Sequence, residues 1–155
     1  MEEGFPESAA FFTLVGQCLV ELGIEEIELL SQNPAEQTQI AERFVQERLA
    51  YWTQRLHLED WHISLVMTRK SELKPGTLGA TRWDKRKKTA TVWVLDPADY
   101  RLPFEEVLSD LELTVVHELV HLELASLPRS EASRSKEEHA VNRLAEALVA
   151  LDKSK

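Results

Sequence analysis

His117 and His121 stand four residues apart, with Glu118 beside the first, in the run Val115-Val116-His117-Glu118-Leu119-Val120-His121. Residues four apart share one face of a helix, so both imidazoles can reach a single ion. Glu118 leaves the helix in another direction, where a carboxylate can hold a water polarised by that ion. Zn²⁺ is the expected cofactor, because two imidazoles and a carboxylate with one open position suit it. Such an ion brings the pKa of a coordinated water to about 7, and Glu118 can take the proton as that water attacks a carbonyl. The neighbours Leu113, Val115, Val116, Leu119, Val120 and Leu122 are apolar, as a helix lining an enclosed site requires. Two histidines at this spacing without the glutamate and the helix would more often be ordinary surface or core residues.

The chemistry needs a third protein ligand. Gly at the third position after His121 and His at the sixth would mark a metzincin; Leu124 and Leu127 stand there and exclude that class. Downstream, Lys136-Glu137-Glu138-His139-Ala140-Val141-Asn142 offers Glu138, with Glu137 as the alternative and His139 a weaker choice. Glu138 shares a helical face with Val141, Asn142 and Ala145. Core-facing Val141 and Ala145 draw Glu138 inward, and an inward carboxylate needs a cationic partner. Glu137 shares its face with Val141 and Leu144. The ordinary alternative for either acid is a first-turn glutamate favoured by the helix dipole.

The elements that must position these groups are legible from periodicity. Phe11, Phe12, Leu14, Val15, Cys18, Leu19 and Leu22 recur at helical spacing, and Asn33-Pro34-Ala35-Glu36 reads as a second helix start. Ile40, Phe44, Leu49, Trp52 and Leu56 give that second helix an apolar face. From Trp61 the period becomes two: Trp61, Ile63, Leu65 and Met67 fall on one side of a strand. Further strands are expected over residues 77–84 and 89–95, joined by Lys85-Arg86-Lys87-Lys88. That basic run reads as a solvated hairpin turn rather than a nucleic-acid site. Helical patterning resumes over residues 103–124 and again over 131–151, after a break at Leu127-Pro128. The expected fold is α+β, with a small antiparallel or mixed three-stranded sheet, an active-site helix and a following glutamate helix. N-terminal helices pack alongside. A single domain is expected over residues 1–155, with a helical extension over 1–32 and a catalytic core over 33–152.

Composition narrows the function. Asp and Glu number 27 against 18 Lys and Arg, a net charge of −9, which disfavours phosphate backbones as partners. One cysteine, Cys18, excludes a multi-thiolate zinc site and an internal disulfide. Neither a membrane span nor a secretory signal is recognisable, so the cytoplasm is the expected compartment. No G-x-S-x-G turn or phosphate-cradling G-x-x-x-x-G-K sequence points to a rival chemistry.

The H-E-x-x-H helix followed by Glu138-x-x-Val141-Asn142-x-x-Ala145 resembles the gluzincin zinc peptidases, and the compact layout is similar to the minigluzincins. The likeness spans residues 40–150, and its specific part is the two helices. It implies a zincin-like metalloprotease, a hydrolase of peptide bonds, with His117, His121 and Glu138 as ligands and Glu118 as general base. It also implies an extended peptide or protein substrate paired along the edge of strand 89–95. Gluzincins usually add a Tyr or His that stabilises the oxyanion; proximity in the chain nominates Tyr100, His139 and Arg143. The alternative expectation is a catalytically silent zincin-fold binding or regulatory protein with a structural zinc.

Overall fold

The computed structural model describes residues 33–128 and 130–155; the expected extension over residues 1–32, Cys18 included, lies outside them. The first described helix, α1, runs Pro34–Arg55. Asn33 caps it by accepting from the Ala35 N–H at 3.1 Å, and Pro34 occupies the first helical position, where its missing N–H costs nothing. Ala41, Val45, Leu49 and Trp52 form its buried stripe. Leu58 then enters the core at the bend into the sheet.

Strands β1 (His62–Thr68), β2 (Gly79–Asp84) and β3 (Thr89–Leu95) form a three-stranded sheet in the order β1-β3-β2. β3 runs parallel to β1, pairing His62 with Thr89 through Thr68 with Leu95. β2 is antiparallel to β3, pairing Gly79 with Val94 through Asp84 with Thr89. The sheet is therefore mixed. No long crossover is needed, because β2 is itself the return path between the parallel strands. Ile63, Leu65 and Met67 face the core as alternation predicts, while His62, Ser64 and Val66 point to the exposed side. The basic run is the hairpin turn: Asp84 accepts from the Arg86 and Lys87 N–H groups at 2.9 and 3.1 Å. Lys88 pairs with Asp60 at 3.2 Å and lies over the Trp61 ring.

This strand order corrects one expectation. Residues 89–95 offer no edge to a peptide, since β3 carries a partner on both sides. Among the described strands the free edges belong to β1 and β2. Ala90, Val92 and Val94 of β3 are buried, the central position suiting its run of β-branched residues.

Helix α2, Phe104–Glu123, is the most apolar of the three described α-helices and packs against α1, the sheet and helix α3, Glu131–Lys153. Leu111, Val115, Val116 and Leu119 are fully buried, as are Val141 and, almost completely, Ala145 on α3. A polar clasp joins the three helices. Glu112 of α2 accepts from Arg48 at 2.7 Å and from the Trp52 indole at 2.9 Å. Arg48 also reaches Asp152 of α3 at 3.3 Å, and Tyr51 donates to Asp152. The carboxylate of Glu112 is thus buried but paired, the condition under which such a charge is tolerated. No helix among the described residues is long and apolar enough to cross a membrane.

Candidate functional site

His117, Glu118 and His121 lie on the second half of α2, where 20 residues of uninterrupted helix fix their mutual directions. The two Nε2 atoms are 3.1 Å apart. Glu138, on the second turn of α3, brings one carboxylate oxygen to 2.7 Å from the His121 Nε2 and the other to 3.4 Å from the His117 Nε2. One ligand atom from each of the three falls within 4.8 Å of the others. A tetrahedral ion with bonds of about 2.0–2.1 Å would hold its donors about 3.3 Å apart, so this donor set is close to the spacing an ion would impose.

Glu137 has a different place. Its carboxylate meets the Nδ1 of His121 at 3.2 Å, on the far side of the ring from Glu138. An Nδ1–H donated to Glu137 leaves the Nε2 lone pair turned toward Glu138 and His117, the tautomer a ligand needs. The two adjacent glutamates therefore take separate parts: Glu138 faces both Nε2 atoms, and Glu137 orients one ring. Burial differs from the helical-face expectation. The Glu137 side chain is 16% exposed, whereas that of Glu138 is 55% exposed and reaches the imidazoles from the rim. Asn142, one turn beyond Glu138, lines the same groove as these groups.

Electrostatics favour a neutral His117 imidazole and a protonated Glu118 when no cation is present. Burial, then the adjacent His121, depress the His117 pKa, and Glu138 pulls weakly the other way. Glu118 is buried at 6% exposure, and desolvation followed by the charge of Glu138 pushes its carboxyl up to about 8. A cation among the three donors would oppose that shift by favouring the carboxylate.

These groups open into a groove of about 940 Å³ floored by α2, with α3 on one side and β2 with the preceding loop on the other. Gly79 through Trp83, residues of both strand faces, all line it, so the free edge of β2 borders the site. Gly79 is the point of closest approach. A Cβ there would stand 2.5 Å from the Thr114 Cγ2, 2.9 Å from the Trp93 carbonyl oxygen and 3.2 Å from a Glu118 carboxylate oxygen. Only glycine lets β2 lie this near the helix.

None of the nominated oxyanion donors is among the residues lining the groove. Tyr100 is half-buried and donates to Asp110 at 2.8 Å, and burial with that bond raises its phenol far above the ordinary range. His139 and Arg143 are exposed on α3. Each was placed by chain distance alone, whereas helix phase decides direction. Arg134 does line the groove, and sequence reasoning passed over it. The available signal was its position four residues before Glu138, on the same face. Gly79 was also missed, although a glycine inside a strand pattern signals close backbone approach.

No protein-family model matches the chain, and no curated protein or solved structure matches it.

Proposed function

We propose that the protein is a zinc-dependent metallopeptidase acting in the cytoplasm, with a gluzincin-like ligand set. The observation that carries this reading is the convergence of the His117, His121 and Glu138 donor atoms beside the buried Glu118 carboxyl. His117, His121 and Glu138 would hold the ion, and Glu137 would keep the His121 ring in its ligating tautomer. The bound ion supplies Lewis acidity toward a carbonyl and acidifies a water molecule. Glu118 would take the proton from the attacking water and pass it to the leaving amine, the cation's charge holding its enclosed carboxyl ionised beforehand. The free edge of β2 aligns an extended peptide through backbone hydrogen bonds, a part that β3 cannot play from the sheet centre.

A second reading is favoured by one observation: none of Tyr100, His139 and Arg143 lines the groove. A zincin-like binding or regulatory protein with a structural ion needs none of them. Metal analysis of the purified chain with a peptide-library assay separates the readings. One equivalent of zinc in both the parent and Glu118→Gln, with hydrolysis by the parent alone, is expected of the peptidase. Zinc without turnover selects the binding protein, and a parent that takes up no metal at neutral pH sinks both.

A further inference from the structure

The charges facing the groove fall into two groups. Its carboxylates are already engaged: Glu72 accepts from the Thr68 hydroxyl at 2.6 Å, and Asp110 from Tyr100 at 2.8 Å. Glu137 and Glu138 meet the imidazoles, and Glu118 is buried. Its cations are not. Lys74 on the loop before β2, Arg82 on β2 and Arg134 on the first turn of α3 are all exposed and all line the groove. Neither the Lys74 ammonium nor the Arg134 guanidinium has a hydrogen bond or ion pair among the described residues. The Arg82 guanidinium has only the Trp93 ring, 5.9 Å away. Arg134 could have paired with Glu138 four residues on, the usual arrangement on a helix. That carboxylate is turned to the histidines instead, and Arg134 is left facing the groove.

Three cations thus face the groove without an ionic partner among the described residues, beside the Glu72 and Asp110 carboxylates, whose hydroxyl donors leave their charge in place. Three cations from three elements surround a strand edge suited to an extended backbone. Charge so placed selects partners and speeds their capture. We infer that the groove takes acidic peptides, with Arg134, Arg82 and Lys74 meeting Asp or Glu side chains that flank the segment laid along β2. This deepens the peptidase reading and rests on it for the identity of the site. A nucleic-acid strand is the less favoured polyanion. The denser basic run, 85–88, is at the hairpin turn rather than in the groove, and its Lys88 is paired with Asp60.

The experiment uses the full chain loaded with zinc and carrying Glu118→Gln, so that bound peptide is not consumed. Fluorescence anisotropy compares an unstructured Glu/Ala/Val peptide with its Gln isostere and its Lys counterpart. The acidic peptide is expected to bind about tenfold or more tightly than the isostere at ionic strength near 0.05 M, with the advantage shrinking toward 0.3 M. Arg134→Ala is expected to remove about three- to tenfold of that affinity and leave the isostere unchanged, with Arg134→Lys retaining most of it. Circular dichroism checks that the exposed substitutions leave the fold intact. Equal affinity for acidic peptide and isostere overturns the inference, as does tighter binding of a single-stranded oligonucleotide. The parent chain is assayed for hydrolysis of the same peptides. Cleavage of both without charge preference sinks the inference alone, whereas selective binding of the acidic peptide with no cleavage sinks the peptidase reading alone.

Discussion

Replacing Glu118 with Gln is expected to make the metal-free protein more stable than its parent at alkaline pH, although a candidate catalytic group is lost. An unfolded glutamate titrates at its ordinary 4.5, and the folded Glu118 carboxyl at about 8. Below pH 4.5 both states hold the proton, and the stabilisation that accompanies the raised pKa is fully present. Between the two values the folded state keeps a proton that the unfolded state has released, so each pH unit favours unfolding by about 1.4 kcal/mol. The loss is complete above about 8, with a ceiling of roughly 5 kcal/mol. Gln has nearly the same shape and cannot ionise, so its variant escapes this loss. The His117 shift has the opposite sign: its depressed pKa makes stability rise as pH passes the ordinary 6.5, but parent and variant share it. Urea unfolding of both chains in chelator, from about pH 5 to about pH 9, reads the difference directly. The variant-minus-parent gap is expected to widen by at least about 2 kcal/mol toward the alkaline end. Zinc in excess is expected to narrow it, since a nearby dication favours the ionised carboxylate. Parallel curves across the range would refute the reasoning, because they would mean that folding does not desolvate Glu118.

Gly79→Ala is expected to cost about 1–3 kcal/mol by denaturant titration, because the new methyl meets the Trp93 backbone carbonyl as well as Thr114. Thr114→Ser in the same chain relieves only the side-chain part, so recovery is partial. Arg48→Ala leaves the Glu112 carboxylate buried without its charge partner and is expected to destabilise by about 3 kcal/mol. Adding Glu112→Gln returns part of that loss, and full additivity of the two changes would show that the pair is not coupled. Glu137→Ala is expected to weaken zinc binding by about 10- to 100-fold in a chelator competition while Glu138→Ala weakens it further. The reverse ranking would exchange the parts assigned to the two acids.

How much was legible in the chain depended on how local each feature is. His117 and His121 could be paired in advance because one turn of helix places them, whatever the helix packs against. The strand faces of β1 and the cap at Asn33 were readable for the same reason. Order within the sheet was not. Alternation states which face of residues 89–95 is buried, but not whether one or two strands lie alongside. The choice of edge therefore went to β3, which has none; the free edges among the described strands are those of β1 and β2. Glu138 lies against the histidines in the structure, whereas the burial argument made for it describes Glu137 better.

By itself, then, the sequence determined an α+β chain with an H-E-x-x-H helix, a second acidic helix and three strands, since each follows from the periods of 3.6 and 2. Only the tertiary structure decided that Glu138 faces both Nε2 atoms while Glu137 faces an Nδ1, and that none of Tyr100, His139 and Arg143 lines the groove. It also decided that Gly79 admits the strand and that Arg134 is turned to the opening. These depend on the phase and separation of α3 and β2 relative to α2. Those are set by packing between residues far apart in the chain, which no local pattern records.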